Sequence, residues 1–283
     1  MDIRAIINKS GLTLNSFHSV GGGDINDAYC LVADEKKYFL KINDAARFPR
    51  MFEKEARGLT ALEKGSRFVI PKVIQHGEVK GRQFLVLEWL EKGRPLKNFW
   101  EDFGTAVADM HKTRQNYFGF EEDNYIGSLQ QNNTKHESWP GFYTNCRVMP
   151  LIRKLKDAGR FSTTDIAAAE VFCKQLDTIF PSEYPSLLHG DLWGGNYMIS
   201  ENGRVAIYDP AVYFGHREMD LGMTLLFGGF SAPFYEAYHQ TYPLEKGWRQ
   251  RVRYTQLYPL LVHAILFGRQ YVNSVKEILR AFK

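Results

Sequence analysis

In "HGDLWGGN" an aspartate and an asparagine, Asp191 and Asn196, stand five residues apart among three glycines, and Asp209 follows thirteen residues later. The loop leaves a short apolar run, "SLL", that reads as a strand. Asp209 ends the second strand of a hairpin, "NYMIS" and "RVAIYD", whose "ENG" connection carries the turn signal Asn202-Gly203. Phosphoryl transfer uses side chains of these types in this order. One carboxylate accepts the proton of an attacking hydroxyl, while an amide oxygen and a second carboxylate hold magnesium against the phosphates. Asp191 is thus the candidate base, and Asn196 and Asp209 are the candidate Mg²⁺ ligands.

The same chemistry requires a strand cation and a helix acid upstream, and both are present. In "YFLKI" the alternation of a strand sends Leu40 and Ile42 to one face and Phe39 and Lys41 to the other, where an ammonium can meet α- and β-phosphates. Glu55 lies three residues after Phe52 and four before Leu59, so helical spacing places it on an apolar stripe. A buried carboxylate needs a partner or must neutralise, and Lys41 is the nearest in the scheme. Glu53 competes for the role but falls off the stripe. "GGGDIND", between the first two strands, offers Gly22 and Gly23 as a phosphate cradle; a glycine triplet also makes an ordinary turn, and the run lacks the GxGxxG spacing.

The elements that must position these groups divide at Leu90. Before it, "LNSFHSV", "DAYCLVA", "KKYFLKI", "KVIQHGEV" and "RQFLVLEWL" read as strands of an antiparallel meander. One helix, "RMFEKEARGLTALEKG", interrupts them, with Phe52, Ala56, Leu59 and Leu62 inward and Gly65 as its stop. After the polar linker "EKGRP" the pattern is mainly helical, as in "NFWEDFGTAVADMHK" and "TTDIAAAEVFCKQL", around a loop-rich insert at 116–150. The expected fold is α+β: residues 1–90 a small antiparallel-sheet lobe, residues 91–283 a helical lobe, as in protein kinases. ATP would bind at their hinge, its adenine on the backbone of Glu88, Trp89 and Leu90.

Thirty-six Lys and Arg against thirty-two acids leave a net charge of +4 without a dense basic run, which argues against nucleic acid as a partner. Cys30, Cys146 and Cys173 are odd in number and form no CxxC, so neither a disulfide framework nor a zinc site is expected, and a reducing cytoplasm is the default. The stretch "LYPLLVHAILFG" is too short and too broken to span a membrane. His189 reads as a structural imidazole bonded to the loop backbone rather than a metal ligand. Trp193, Tyr213, Phe214 and His216 either line an acceptor pocket or pack the loops. "WPGFY" (Trp139, Phe142, Tyr143) either closes that pocket or covers the helical lobe. Arg217 and Glu218 read as a buried structural pair.

"LLHGDLWGGN", "YDPAVYFGHREMDLG", "GGGDIN", "FLKIN", "FEKEARGL" and "NYIGSLQQ", in combination and across nearly the whole chain, resemble the fructosamine kinase (ketosamine-3-kinase) family, relatives of aminoglycoside phosphotransferases and choline kinases. The resemblance implies an ATP- and Mg²⁺-dependent kinase acting on the C3 hydroxyl of a fructosamine or ribulosamine, free or on a glycated protein, in deglycation. It implies Asp191 as base, Asn196 and Asp209 on the metal, Lys41 on the phosphates, Glu55 as its orienter and Asp220 as the helix acid holding the loop. Gly194 departs from the serine usual in "HGDLWSGN". The alternatives are an aminoglycoside- or choline-type phosphotransferase and a nucleotide-binding module without activity.

Overall fold

A computed structural model describes residues 3–21, 25–64 and 66–283. Gly22, Gly23 and Gly65, expected as phosphate cradle and helix stop, lie outside the described residues. The chain forms two compact units, residues 1–99 with 197–210, and residues 100–196 with 211–283.

The first unit contains α1 (Ile3–Ser10), β1 (Leu14–Ser19), β2 (Asp27–Ala33), β3 (Lys36–Asp44), α2 (Met51–Glu63), β4 (Val73–Val79), β5 (Arg82–Glu88) and the hairpin strands β9 (Tyr197–Ile199) and β10 (Val205–Ile207). Its five-stranded antiparallel sheet runs β1-β2-β3-β5-β4. This is not a simple meander: the chain leaves β3 through α2, lays β4 at the edge, and returns β5 into the gap. β5 is buried along Gln83–Leu87 because both of its faces are covered, Phe84 and Val86 by α1 and Gln83 by α2, whose Phe52 N–H donates to Gln83 Oε1 at 3.3 Å. Its hairpin to β4 turns at Lys80 and Gly81, both at positive φ. α1 was not expected from the sequence, although Ile3, Ile6 and Ile7 recur at helical spacing; they pack on Leu31, Leu40, Ile42, Phe84 and Val86. One sheet face is thereby closed, leaving the face of Lys41 to α2.

The first unit ends at Phe99 rather than at Leu90, and the hairpin joins it for a reason of backbone bonding. Val69 N–H donates to Val205 O at 2.9 Å and Ile207 N–H to Val69 O at 3.1 Å, while Gly93 N–H donates to Ile199 O at 3.0 Å. Both hairpin edges are thus used by segments of the first unit, and unpaired they would carry orphaned peptide groups.

The second unit is mainly helical: α3 (Phe99–His111), α4 (Trp139–Phe142), α5 (Met149–Asp157), α6 (Thr163–Lys174), α7 (Leu176–Ile179), α8 (Glu218–Thr224), α9 (Ala232–Thr241), α10 (Trp248–Thr255), α11 (Leu257–Leu266) and α12 (Arg269–Leu279). The N-cap of α6 is Ser162, in a reciprocal capping box with Asp165. The insert is more regular than expected. It holds the hairpin β6 (Asn124–Ile126) and β7 (Leu129–Gln131), then α4, and a π-helical turn Tyr143–Val148 that runs into α5. These three-residue strands are too brief to show an alternation. β8 (Ser186–Leu188) pairs antiparallel with β11 (Tyr213–Gly215), so the strand leading into the 189–196 loop lies beside the strand that follows Asp209. No helix among the described residues is long and apolar enough to cross a membrane.

Candidate active site

In the first unit Lys41 is buried, and its Nζ lies 2.8 Å from Glu55 Oε1 on α2. It also bonds Asp209 Oδ1, at the end of the β9–β10 hairpin. Burial opposes the ammonium charge, but the carboxylates of Asp209 and Glu55 prevail and hold the Lys41 pKa above the ordinary lysine value. Burial pushes the Glu55 carboxyl up against the pull of Lys41. The helix acid was visible from its stripe; Asp209 as a second partner of Lys41 was not. Glu53 sits outside this pair, bonded to Arg50 and Arg57. Asp209 holds φ at 56°, a left-handed conformation unusual for a non-glycine residue, and its side chain is 40% exposed. Glu88 closes β5, and Trp89 and Leu90 continue beyond it outside any strand, with Trp89 against Phe39 at 6.3 Å. A cavity of 520 Å³ beside Ile6, Tyr29 and Arg82 opens on the opposite, α1-covered face of the sheet.

The second unit holds the loop. Asn196 Nδ2 donates to both the carbonyl and the carboxylate of Asp191, each at 2.8 Å. With both amide hydrogens committed, the donor Asn196 can offer a cation is Oδ1. Oxygen donors of this kind suit Mg²⁺, as does the carboxylate of Asp209, so the side chains fit the ion by donor chemistry. Asp220, 1% exposed on α8, takes the N–H of His189 at 2.8 Å and of Gly190 at 2.9 Å, one on each carboxylate oxygen. His111 Nε2 faces the same carboxylate at 3.2 Å, and its Nδ1 meets Tyr238 Oη at 2.8 Å. His111 went unnoticed in the sequence, yet its signal resembled that of Glu55: with Phe103 and Val107 it continues one stripe of α3. His189 is buried, and its Nδ1 accepts the Asp191 N–H at 3.3 Å, a backbone role. Gly190 has φ +82°, and a Cβ there would fall 2.1 Å from Ala211 O. At Gly194 a Cβ would meet nothing within 4 Å, so the missing serine removes no packing.

Of the flanking aromatics, Tyr213 and His216 are buried and belong to the packing; burial keeps His216 below the usual imidazole range. Phe214 lies against Phe120. Trp193 is 37% exposed, its indole edge-on to Phe227 at 5.7 Å. Trp139, Phe142 and Tyr143 are core residues. Arg217 and Glu218 do not pair with each other: Arg217 donates to Glu183, and Glu218 accepts from Arg251, because Arg217, the αR N-cap of α8, and Glu218, its first residue, point about 100° apart. The three cysteines are free, and the described residues hold no cluster of three or more His, Cys, Asp or Glu fit for a metal.

A strand lysine ion-paired to a helix glutamate, and an aspartate fixed in a loop after a short strand, on an α+β fold of this order, define a kinase-type phosphotransferase. Solved aminoglycoside phosphotransferases share the fold at 14% identity and a TM-score of 0.64. The family model for fructosamine kinase matches residues 3–283, and the chain belongs to that family. A probable ketoamine kinase from Synechocystis is 41% identical over 93% of this chain and 88% of its own. The chloroplastic protein-ribulosamine 3-kinase of Arabidopsis thaliana is 35% identical over 92% and 80%. The solved structure of a presumptive fructosamine-3-kinase from Thermobifida fusca superposes with a TM-score of 0.88 at 33% identity, covering 99% of this chain and 98% of that one.

Proposed function

We propose that the protein transfers the γ-phosphoryl group of ATP to the C3 hydroxyl of a ketosamine, as a cytoplasmic deglycation enzyme. The observation that carries the reading is the anchoring of the Asp191 loop, by Asn196 from one side and by Asp220 through two backbone N–H groups from the other. A carboxylate so fixed serves to orient a hydroxyl and take its proton, and orientation is most of what phosphoryl transfer asks of a protein. Lys41, kept charged by its two carboxylates, would bind α- and β-phosphates. Gly22 and Gly23 would supply backbone N–H groups, and Glu88, Trp89 and Leu90 the adenine contacts. Asn196 and Asp209 would hold Mg²⁺, which when bound neutralises phosphate charge. The exposed ring of Trp193 is suited to the apolar face of a sugar.

The test is ADP formation with ribulosamines, fructosamines, aminoglycosides and choline as acceptors. Ketosamines should be preferred, and Asp191→Asn should lower turnover by roughly two to four orders of magnitude. Regiochemistry gives a second check. A ketosamine carries its amine on C1 and its carbonyl on C2, so enolisation toward C1 makes phosphate on C3 an allylic leaving group. After enzyme removal the product should decay to free amine, inorganic phosphate and a 3-deoxy dicarbonyl. A product that persists, with phosphorus coupled to a terminal CH₂, defeats the C3 assignment.

A further inference from the structure

The segment "NYIGSLQQNN" holds polar side chains that the proposed chemistry leaves without a task. Asn124 and Gln131 are directly opposed in the β6–β7 pair, so both project from one face of the hairpin. Asn124 Nδ2 donates to Val212 O at 2.8 Å, and Gln131 Nε2 donates to Ala211 O at 2.9 Å. Two consecutive carbonyls are thereby held by two side-chain amides. Gln131 Nε2 and Asn133 Nδ2 both donate to Asn124 Oδ1, and Tyr258 Oη donates to Gln131 Oε1 at 2.9 Å. Each amide thus has its orientation dictated by its partners. Behind them Arg147, carried on the π-helical turn and fully buried, donates to Asn133 Oδ1 at 2.7 Å and to Asn132 O. Its guanidinium lies over the faces of Tyr213 and Phe142, at 4.2 and 4.5 Å, which attract its charge.

The clamped peptide is part of the loop support. Ala211 N–H donates to His189 O at 2.9 Å, and Ala211 O occupies the space that a Cβ on Gly190 would need. We infer that Gln131 is a positioning residue for the phosphoryl acceptor's base: through Ala211 it sets where the His189-Gly190-Asp191 backbone lies, opposite the anchor at Asp220. This rests on Asp191 as the base.

Gln131→Met keeps the volume and removes every hydrogen bond of the amide. Turnover should fall at least about ten-fold, as misplacement of a reacting group does, with KM for ATP unchanged within about two-fold. Val275→Ala, buried on α12 with an aliphatic side chain that takes no part in these hydrogen bonds, is the comparison at matched thermal stability. Gln131→Glu guards against a variant that does not fold. Its carboxylate would face Ala211 O and Asn124 Oδ1, while its protonated form regains a donor, so turnover relative to wild type should rise as the pH is lowered from about 8 to about 6. Losses in Gln131→Met no larger than in Val275→Ala, kcat and KM moving together, or a Gln131→Glu profile parallel to wild type would each overturn the inference. Asp191→Asn run alongside separates the layers. Full turnover there removes the base and this inference with it, whereas its loss beside an unaffected Gln131→Met removes the inference alone.

Discussion

Lys41 and Glu55 lie fourteen residues apart in the chain and 2.8 Å apart in space, both nearly excluded from water. The contact joins β3 to α2, and Asp209 completes a three-member arrangement around one ammonium. Burial and two acidic neighbours make this lysine's charge persistent, so it should not titrate in any working pH range.

Removing the lysine and removing the glutamate should therefore not be equivalent. Lys41→Met leaves two carboxylates without their cation, whereas Glu55→Gln leaves Lys41 still bonded to Asp209. The lysine variant should lose the more turnover and the more stability. In a double-mutant cycle by urea unfolding, the pair should show a coupling of at least about 1 kcal/mol. Strictly additive losses would mean that the contact does not operate as a unit.

Lys41, Glu55, Asp191, Asn196 and Asp209 stand out in the sequence as candidates because each combines a distinctive residue type with a local pattern: alternation around Lys41, a stripe around Glu55, a five-residue spacing in the loop. Apart from His111 and α1, which a helical stripe does mark, what escaped has no such local sign. The β6–β7 hairpin is three residues a side, and the reason for Asn124 and Gln131 lies some eighty positions downstream, in two carbonyls whose positions no local pattern discloses. The same holds for Arg217 and Glu218. Adjacency suggested a pair, and the fold gave each a different partner. The β4–β5 order also depends on which edge the chain returns to after α2, a matter of packing and not of propensity.

Asp165 predicts a specific acid sensitivity. Burial would raise its carboxyl, but the N–H and hydroxyl of Ser162, with Lys283 and Lys276, outweigh burial and hold the pKa at about 2, below its ordinary 3.8. Because the folded value is the lower one, the stabilisation is complete above the ordinary pKa and disappears as pH falls through about 2. A shift of that size corresponds to about 2 kcal/mol at neutral pH. Asp165→Asn keeps an acceptor for the α6 cap but no charge. It should be the less stable protein at pH 7 by about 1–2 kcal/mol, the gap narrowing as pH falls from about 4 towards about 2. A gap that is constant with pH in urea unfolding would show that the charge contributes nothing.

The Asp220 carboxylate makes the sharpest demand on residue type in the loop's support. Its two oxygens each take one loop N–H, from His189 and Gly190, and Oδ2 also faces His111 Nε2. All these partners are donors if His111 carries its proton on Nε2, with Nδ1 accepting from the Tyr238 hydroxyl. An asparagine offers one oxygen and one NH₂, so Asp220→Asn must set a donor against a donor inside the protein. One buried N–H is then left without an acceptor, which costs about 1–3 kcal/mol. Turnover should fall while KM for ATP changes little, because the loop carrying Asp191 loses an anchor, and Asp220→Ala should be worse in both stability and rate. The ring ¹⁵N shifts of His111 report the same arrangement independently: Nε2–H in the wild type, and a changed tautomer balance in Asp220→Asn. Wild-type turnover and stability in Asp220→Asn would show that the loop is held by other means.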